Sequence, residues 1–417
     1  MTSLLAVNVL KGNGVGYLTR LCKISKSHNV IQVASMKRLS LKEELPKPKP
    51  LPYWKTTYST FKLRNDPTAY RYDENSKLII VDGLPATGKT KVCEKLAEEF
   101  GLLYMPPPTH DEIYINAYGY DFRQLDPKLP IAVQSCDLKL FLKNPLHPQV
   151  PCFQLNWLYM RFEQYINAML HVLATGQGVV LNRSIYSDIA FSDAMYNAGY
   201  LSKGVVTEFN VMKKNGLGSL LKPHLVIYLD SPPEVVQQNI KKRGNMDEIN
   251  SKVFTTQYLL DMDKSYKEKC LTWLSPYTRI LMYDWSKESN MSDVIMDIEN
   301  LDLEEHEAQD MFEDWVFIEN KDIHILICEC QNKHMMFSLI DQFTKETTLT
   351  PELWYSPYDT KAYFELLETV ESEKYEPGYN PIYGDKVLFK QKFYNYQSVC
   401  RRTPRDLVNY SEAKLPY

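Results

Sequence analysis

The chain has 417 residues, 44% of them hydrophobic, with 48 Lys and Arg against 52 Asp and Glu. That length exceeds the usual single domain, and no apolar run approaches the roughly 18 residues of a bilayer-spanning helix, so a soluble chain with two parts or large extensions is expected. Residues 1–40 hold six of the basic residues and no acid, which leaves 42 basic against 52 acidic residues, a formal −10, and so excludes the basic footprint of a nucleic-acid binder. The eight cysteines form no Cys-x-x-Cys and no Cys/His cluster at zinc spacing, as expected of reduced thiols.

In residues 1–40, Leu4, Leu5, Val7, Val9 and Leu10 are interleaved with Ser, Thr, Asn and spaced cations, the pattern of a mitochondrial transit peptide. A disordered basic tail is the competing reading. Removal is expected between Met36 and Ser40. Residues 41–76 follow as a strap or linker, where the alternating prolines from Pro46 to Pro52 impose an extended chain without ladder hydrogen bonds. Tyr53, Trp54, Tyr58 and Phe61 are expected to dock on this chain's own body or on a neighbour.

Residues 77–300 alternate strands with helices, as a parallel sheet with crossovers requires. The expected strands are Leu78–Asp82, Leu102–Met105, Gly178–Asn182, Leu225–Asp230 and Arg279–Tyr283. Helical periodicity covers Phe153–Leu173, Pro233–Lys242, Thr255–Leu274 and Ser292–Leu301. The predicted fold class is therefore α/β, a P-loop doubly wound parallel five-stranded sheet with helices on both faces.

The first strand runs straight into Gly83-Leu84-Pro85-Ala86-Thr87-Gly88-Lys89-Thr90, a Gly-x-x-x-x-Gly-Lys-Thr loop followed by apolar residues at helical spacing, Val92, Leu96 and Phe100. In such a loop, glycines let backbone N–H groups curl around an anion at the positive end of the next helix. Lys89 is placed to reach the outer phosphates and Thr90 to ligate Mg²⁺. At the end of the third strand, Asn182-Arg183-Ser184-Ile185-Tyr186-Ser187-Asp188 faces the same crevice. Gln154 and Arg161 lie nearly two helical turns apart on one side of their helix. On spacing alone, both are better read as solvent-facing.

Residues 301–417 begin acidic and are expected to fold as an α+β extension that makes assembly contacts. It has a strand candidate at Ile323–Cys328 and helix candidates near Met335–Phe343 and Lys361–Glu371. Cys328 and Cys330 would share one face of that strand. The last stretch, Lys390 to Tyr417, mixes tyrosines with Arg401, Arg402 and Arg405, a composition typical of protein interfaces.

The phosphate loop, the Arg183-to-Asp188 run, the pair Gln154 and Arg161, and Lys241-Lys242-Arg243-Gly244 with Tyr258-Leu259 beyond it together resemble the deoxynucleoside kinase family. The resemblance implies a nucleoside-binding set of Gln154, Arg161 and Asp188. It also implies a phosphate-binding set of Gly83, Gly88, Lys89, Thr90, Arg183 and Arg243. The departures fall on the chemistry. The carboxylate that the family places directly after the second strand is replaced in Met105-Pro106-Pro107-Pro108, and Pro107 can neither accept nor donate a proton. Asn182 stands where a glutamate precedes the arginine, Gln257 stands for a sugar-contacting carboxylate, and the lid has lost arginines. Asp111 and Glu112 remain as nearby acids that could substitute.

Ala194-Met195-Tyr196-Asn197, Pro223-His224-Leu225-Val226-Ile227-Tyr228 and a tail with Pro377-Gly378-Tyr379-Asn380 and Gly384-Asp385-Lys386 bring the sequence closer to one group. It resembles the kinase-like accessory subunits of mitochondrial respiratory complex I, the NADH:ubiquinone oxidoreductase. This implies a non-catalytic subunit on the matrix side of the inner membrane, with other complex I subunits as partners and no required cofactor. A bound nucleotide with Mg²⁺ is compatible with it. FAD enters by family association only, since no second Gly-rich dinucleotide fingerprint is present. An active mitochondrial deoxynucleoside kinase is the alternative, and a nucleotide-sensing module is a third reading.

Overall fold

The computed structural model describes residues 35–42, 47–50, 52–54, 66–287, 290–304, 310–317, 320–340, 350–375 and 379–385. Five strands, β1 (Leu78–Gly83), β2 (Leu103–Met105), β3 (Val179–Asn182), β4 (Leu225–Asp230) and β5 (Arg279–Asp284), form one sheet in the order β2-β3-β1-β4-β5. All pairs are parallel, with Val81 opposite Asn182 and Gly83 opposite Leu229. The central strand is apolar along its length because both faces are covered. Leu78 and Ile80 point into one core cluster, Ile79 and Val81 into the other.

Helix α1 (Lys89–Phe100) starts at Gly88 and stops at Gly101, both left-handed, with Val92, Cys93, Leu96 and Phe100 buried against the sheet. Helix α2 (Val150–Thr175) is the longest element. Of its 26 residues 20 are buried, so it is enclosed on all sides rather than amphipathic. Next come α3 (Asp188–Asn197), α4 (Lys203–Leu217), α5 (Pro233–Arg243) and α6 (Thr256–Ser265). Helix α6 continues through a π-helical stretch, Tyr266–Leu271, to Leu274, and α7 (Met291–Asn300) closes the alternation. Among the described residues no helix is long and apolar enough to cross a membrane.

The tail explains why α2 is enclosed. Helix α8 (Asn320–Gln331) packs on α2, and α9 (Lys333–Ile340) packs on α4. The strand expected at Ile323–Cys328 is therefore a helix. Its run of Ile and Leu reads equally as strand or buried helix, and the burial of Ile323, Leu326, Ile327 and Cys330 follows the helical period. Cys328 and Cys330 consequently do not share a face, and only Cys330 is buried. Among the described residues the tail contributes helices only. Its third helix, α10 (Pro357–Glu368), and residues 370–375 and 379–385 lie on the long connection between β2 and α2. Leu367 and Val370 pack with Phe122, Leu125 and Leu129 there. Asn116 Nδ2 donates to Ser372 Oγ at 2.7 Å and to Glu373 Oε1 at 2.8 Å.

The N-terminal side is also docked on the domain. Met36 is 1% exposed in the cluster of Val92 and Phe100, Asn75 brackets the Lys37 backbone with two hydrogen bonds, and Arg38 pairs with Glu299 at 2.7 Å. The expected cleavage window, Met36 to Ser40, falls inside this docked segment, and a cut there would remove Met36 from the core. From the strap, Tyr53 docks on the chain's own body, its hydroxyl 2.8 Å from His171 Nδ1 on α2. Tyr58, Phe61 and the stretch Lys390 to Tyr417 lie outside the described residues.

Candidate functional site

The site lies at the carboxyl ends of β1 and β3, where the strand order reverses. Gly83 leaves the sheet at φ +141°, with Leu229 O of β4 only 2.6 Å from where a Cβ would stand, and Gly88 turns the chain into α1 at φ +77°. Lys89 is buried, and its Nζ folds back on the loop to donate to Gly83 O at 3.2 Å and Thr87 Oγ1 at 3.0 Å. Burial first, and the Arg183 guanidinium after it, hold the Lys89 ammonium well below the usual lysine range. An anion in the loop would relieve both effects.

Arg183 sits in the left-handed region at φ 70°, a conformation costing a non-glycine residue about 1–2 kcal/mol. There it donates to Gly83 O at 3.3 Å and stacks on the Phe191 ring at 4.5 Å. Arg161 reaches the other charged group of this wall. It forms a buried ion pair with Asp188 and lies 4.9 Å from the Phe191 centroid and 5.0 Å from that of Trp157. Burial pushes the Asp188 carboxyl up against the pull of Arg161, and its Oδ2 is buried without a partner. Gln154 is buried two turns earlier on α2. Neither Gln154 nor Arg161 faces solvent, and Arg161 is turned to Asp188 and Phe191 of α3.

Lys89, Arg183, Arg161 and Asp188 thus belong to one wall, whereas Arg243 is turned to a different partner. Its guanidinium, half exposed at the end of α5, donates to Glu248 Oε1 at 3.0 Å and Oε2 at 3.2 Å. Gln257 also points away, donating to Asp261 on the exposed side of α6. The two acids that could replace the missing carboxylate are engaged elsewhere. Asp111 is 59% exposed and bound to Arg123 at 2.8 Å, and Glu112 accepts from Thr109 N at 2.9 Å, closing its own turn. Pro107 is the second residue after β2, which ends at Met105.

Several residues of the site carry no sequence signal. His110 is sandwiched in an aromatic column, 4.9 Å from the Phe153 ring and nearly parallel to it, with Trp157 edge-on at 4.7 Å. Its Nε2 is buried without a partner, and burial lowers its pKa to about 4. Asp82 begins the loop fully buried. Tyr266 lies 3.4 Å from its Oδ1, its Oδ2 has no partner, and burial raises its pKa. A lone histidine after three prolines and an acid ending a strand have no periodicity to betray them.

The donor set does not fit magnesium. Thr90 Oγ1, the expected ligand, accepts a hydrogen bond from Asn182 Nδ2 at 3.1 Å, and the Tyr104 hydroxyl lies against both side chains. Among the described residues no group of three His, Cys, Asp or Glu is arranged to hold a metal ion. FAD does not fit either. A dinucleotide needs a glycine-rich turn at a strand's end for its pyrophosphate. Among the described residues the only such turn after a strand is Gly83–Gly88, since β2, β3, β4 and β5 lead into Pro106, Arg183, Ser231 and Trp285.

A family model described as deoxynucleoside kinase matches residues 79–318. The chain is 34% identical over 328 residues to the NADH dehydrogenase (ubiquinone) 1 alpha subcomplex subunit 10, mitochondrial, of Mus musculus, covering 78% of this chain and 86% of that one. With the subunit of the same name from Bos taurus it shares 33% identity, covering 79% and 93%. The deoxyguanosine kinase of Dictyostelium discoideum is 26% identical, over 56% of this chain and 72% of its own length. The tail beyond residue 318 lies outside the family model.

Proposed function

The chain belongs to the deoxynucleoside kinase family, and from that membership together with its greater likeness to NADH dehydrogenase subunits than to a kinase, we propose that it is a non-catalytic accessory subunit of mitochondrial complex I. In this role it supports assembly and stability while other subunits transfer electrons. The observation that carries the reading is the vacated place of the catalytic acid. Phosphoryl transfer to a nucleoside hydroxyl needs a carboxylate at the attacking oxygen. Here Pro107 stands after β2, Asp111 is drawn outward by Arg123, and Glu112 closes its own turn. The pocket is a binding site, with Gly83, Gly88, Lys89, Thr90 and Arg183 for phosphate and Gln154, Arg161 and Asp188 for a nucleoside. The partners are other subunits of complex I, met on the matrix side of the inner membrane.

An active deoxynucleoside kinase is the second reading, favoured by the complete Gly83–Thr90 loop. Tagged full-length protein expressed in mitochondria should migrate with complex I on native gels. Purified full chain given ATP, magnesium and a panel of nucleosides should show no turnover. Turnover abolished by Lys89→Ala, or a chain that never joins the complex, overturns the proposal.

A further inference from the structure

We propose that this loop binds its nucleoside phosphate without magnesium, because the neutral Asn182 side-chain amide stands against the Thr90 hydroxyl, where a carboxylate would be needed beside the metal. The inference rests on the reading of the pocket as a nucleotide site and goes beyond it by fixing the ionic form of the ligand. Magnesium demands oxygen ligands in near-octahedral array and usually one or two carboxylates beside the phosphates. Asn182 ends β3, is 6% exposed, and presents a neutral carboxamide whose Nδ2 lies 3.1 Å from Thr90 Oγ1. That N–H takes one of the two lone pairs of the hydroxyl, and the carboxamide brings no negative charge to hold a cation beside the other.

The loop's own acid offers no substitute, since Asp82 is the only carboxylate between residues 82 and 90 and lies at 0% exposure beneath the loop. Protein cations are what remain to meet the phosphate charge. Lys89 now spends its donors on loop carbonyls, Arg183 hangs over Gly83, and Arg243 needs only to exchange Glu248 for a phosphate oxygen. The resulting site resembles an arginine and lysine clamp more than a metal-bridged one.

The test is calorimetric titration of the full chain with ATP, in excess EDTA and again in excess magnesium chloride. The dissociation constant in EDTA is expected to lie within about threefold of that in magnesium or to be tighter, whereas affinity stronger by about tenfold or more in magnesium overturns the inference. Asn182→Asp, close in shape and checked for folding by its melting curve, should weaken ATP in EDTA and make binding magnesium-dependent. A variant still indifferent to magnesium removes Asn182 from its assigned role. Electron paramagnetic resonance with Mn²⁺ and ATP supplies a second readout, in which the wild type should add no immobilised Mn²⁺ signal beyond that of Mn-ATP and the variant should. Absence of ATP binding under both conditions removes the nucleotide reading along with the inference. Binding that requires magnesium removes the inference alone.

Discussion

Lys333, the first residue of tail helix α9, donates to Glu163 Oε1 at 3.0 Å in the middle of α2, and both side chains are buried. Asn167, one turn further along α2, accepts from the same ammonium. The pair fixes the tail to the helix that carries Gln154 and Arg161. Removing one partner of a buried ion pair leaves the other charged and dry. Lys333→Ala should therefore destabilise the chain by about 3–5 kcal/mol, and the double variant Glu163→Leu/Lys333→Met should recover most of that. Urea denaturation of the two variants beside the wild type checks the expectation, and equal losses in both would contradict it.

Acid should weaken the fold through its buried imidazoles. Burial penalises the charged ring and holds the pKa of His110 and His171 down to about 4, against about 6.5 for a free imidazole. Across that window the unfolded chain binds more protons, so their contribution is complete above about pH 6.5 and is lost as pH falls toward 4. His110→Phe keeps the stack on Phe153 and removes one of these protonation sites. Melting temperatures measured from pH 7 to pH 4.5 should fall less steeply in the variant, and parallel curves would refute the assignment.

Two glycines of the phosphate loop should respond differently to alanine. At Gly83 the new methyl would meet Leu229 O at 2.6 Å in a backbone conformation of φ +141°, so Gly83→Ala should cost about 3 kcal/mol of stability. Gly88 has nothing within 4 Å and needs only its φ of +77°, so Gly88→Ala should cost about 1–2 kcal/mol. Thermal denaturation separates the two, and a Gly83→Ala protein as stable as wild type would be inconsistent with the crowding.

The mature protein should begin no later than Met36. Met36 fills the cluster around Val92 and Phe100, and Leu39 lies against Gly101 with its Cδ2 2.8 Å from where a Cβ would stand. Mass spectrometry of the N-terminal peptide from isolated mitochondria reads the boundary directly. A mature end inside or beyond residues 37–41 would contradict the docking. Met36→Ala, which deletes a buried side chain, should destabilise by about 2–5 kcal/mol.

Much of the sheet was legible because its chemistry is local. Buried parallel strands are continuous apolar runs, and the phosphate loop fixes which of them is central, so Leu78–Gly83 and Leu225–Asp230 emerged within a residue of their expected ends. Ile323–Cys328 failed because an isolated apolar run has no period to read until its packing partner is known. For Arg161 and Asp188 the family resemblance implied two side chains directed at one ligand, while the structure pairs them with each other across 27 positions. Arg243 was diverted likewise by Glu248. Proximity on the chain cannot report such choices, because a charge selects among all its neighbours in space. His110 was invisible for the same reason, since a stacking ring matters only where other rings meet it.

The wrapping of α2 by both flanks has a consequence for biogenesis. Tyr53 reaches His171 from 118 positions upstream, and Lys333 reaches Glu163 from 170 positions downstream. Closing contacts that distant is slow and comes late, after nearby segments have condensed. Until the distal helices arrive, a nascent chain displays the α2 surface around Phe162 and Glu163 to water. Completion of this fold therefore waits on synthesis of the last hundred residues, and a chain truncated there should be a client of chaperones rather than a smaller stable protein.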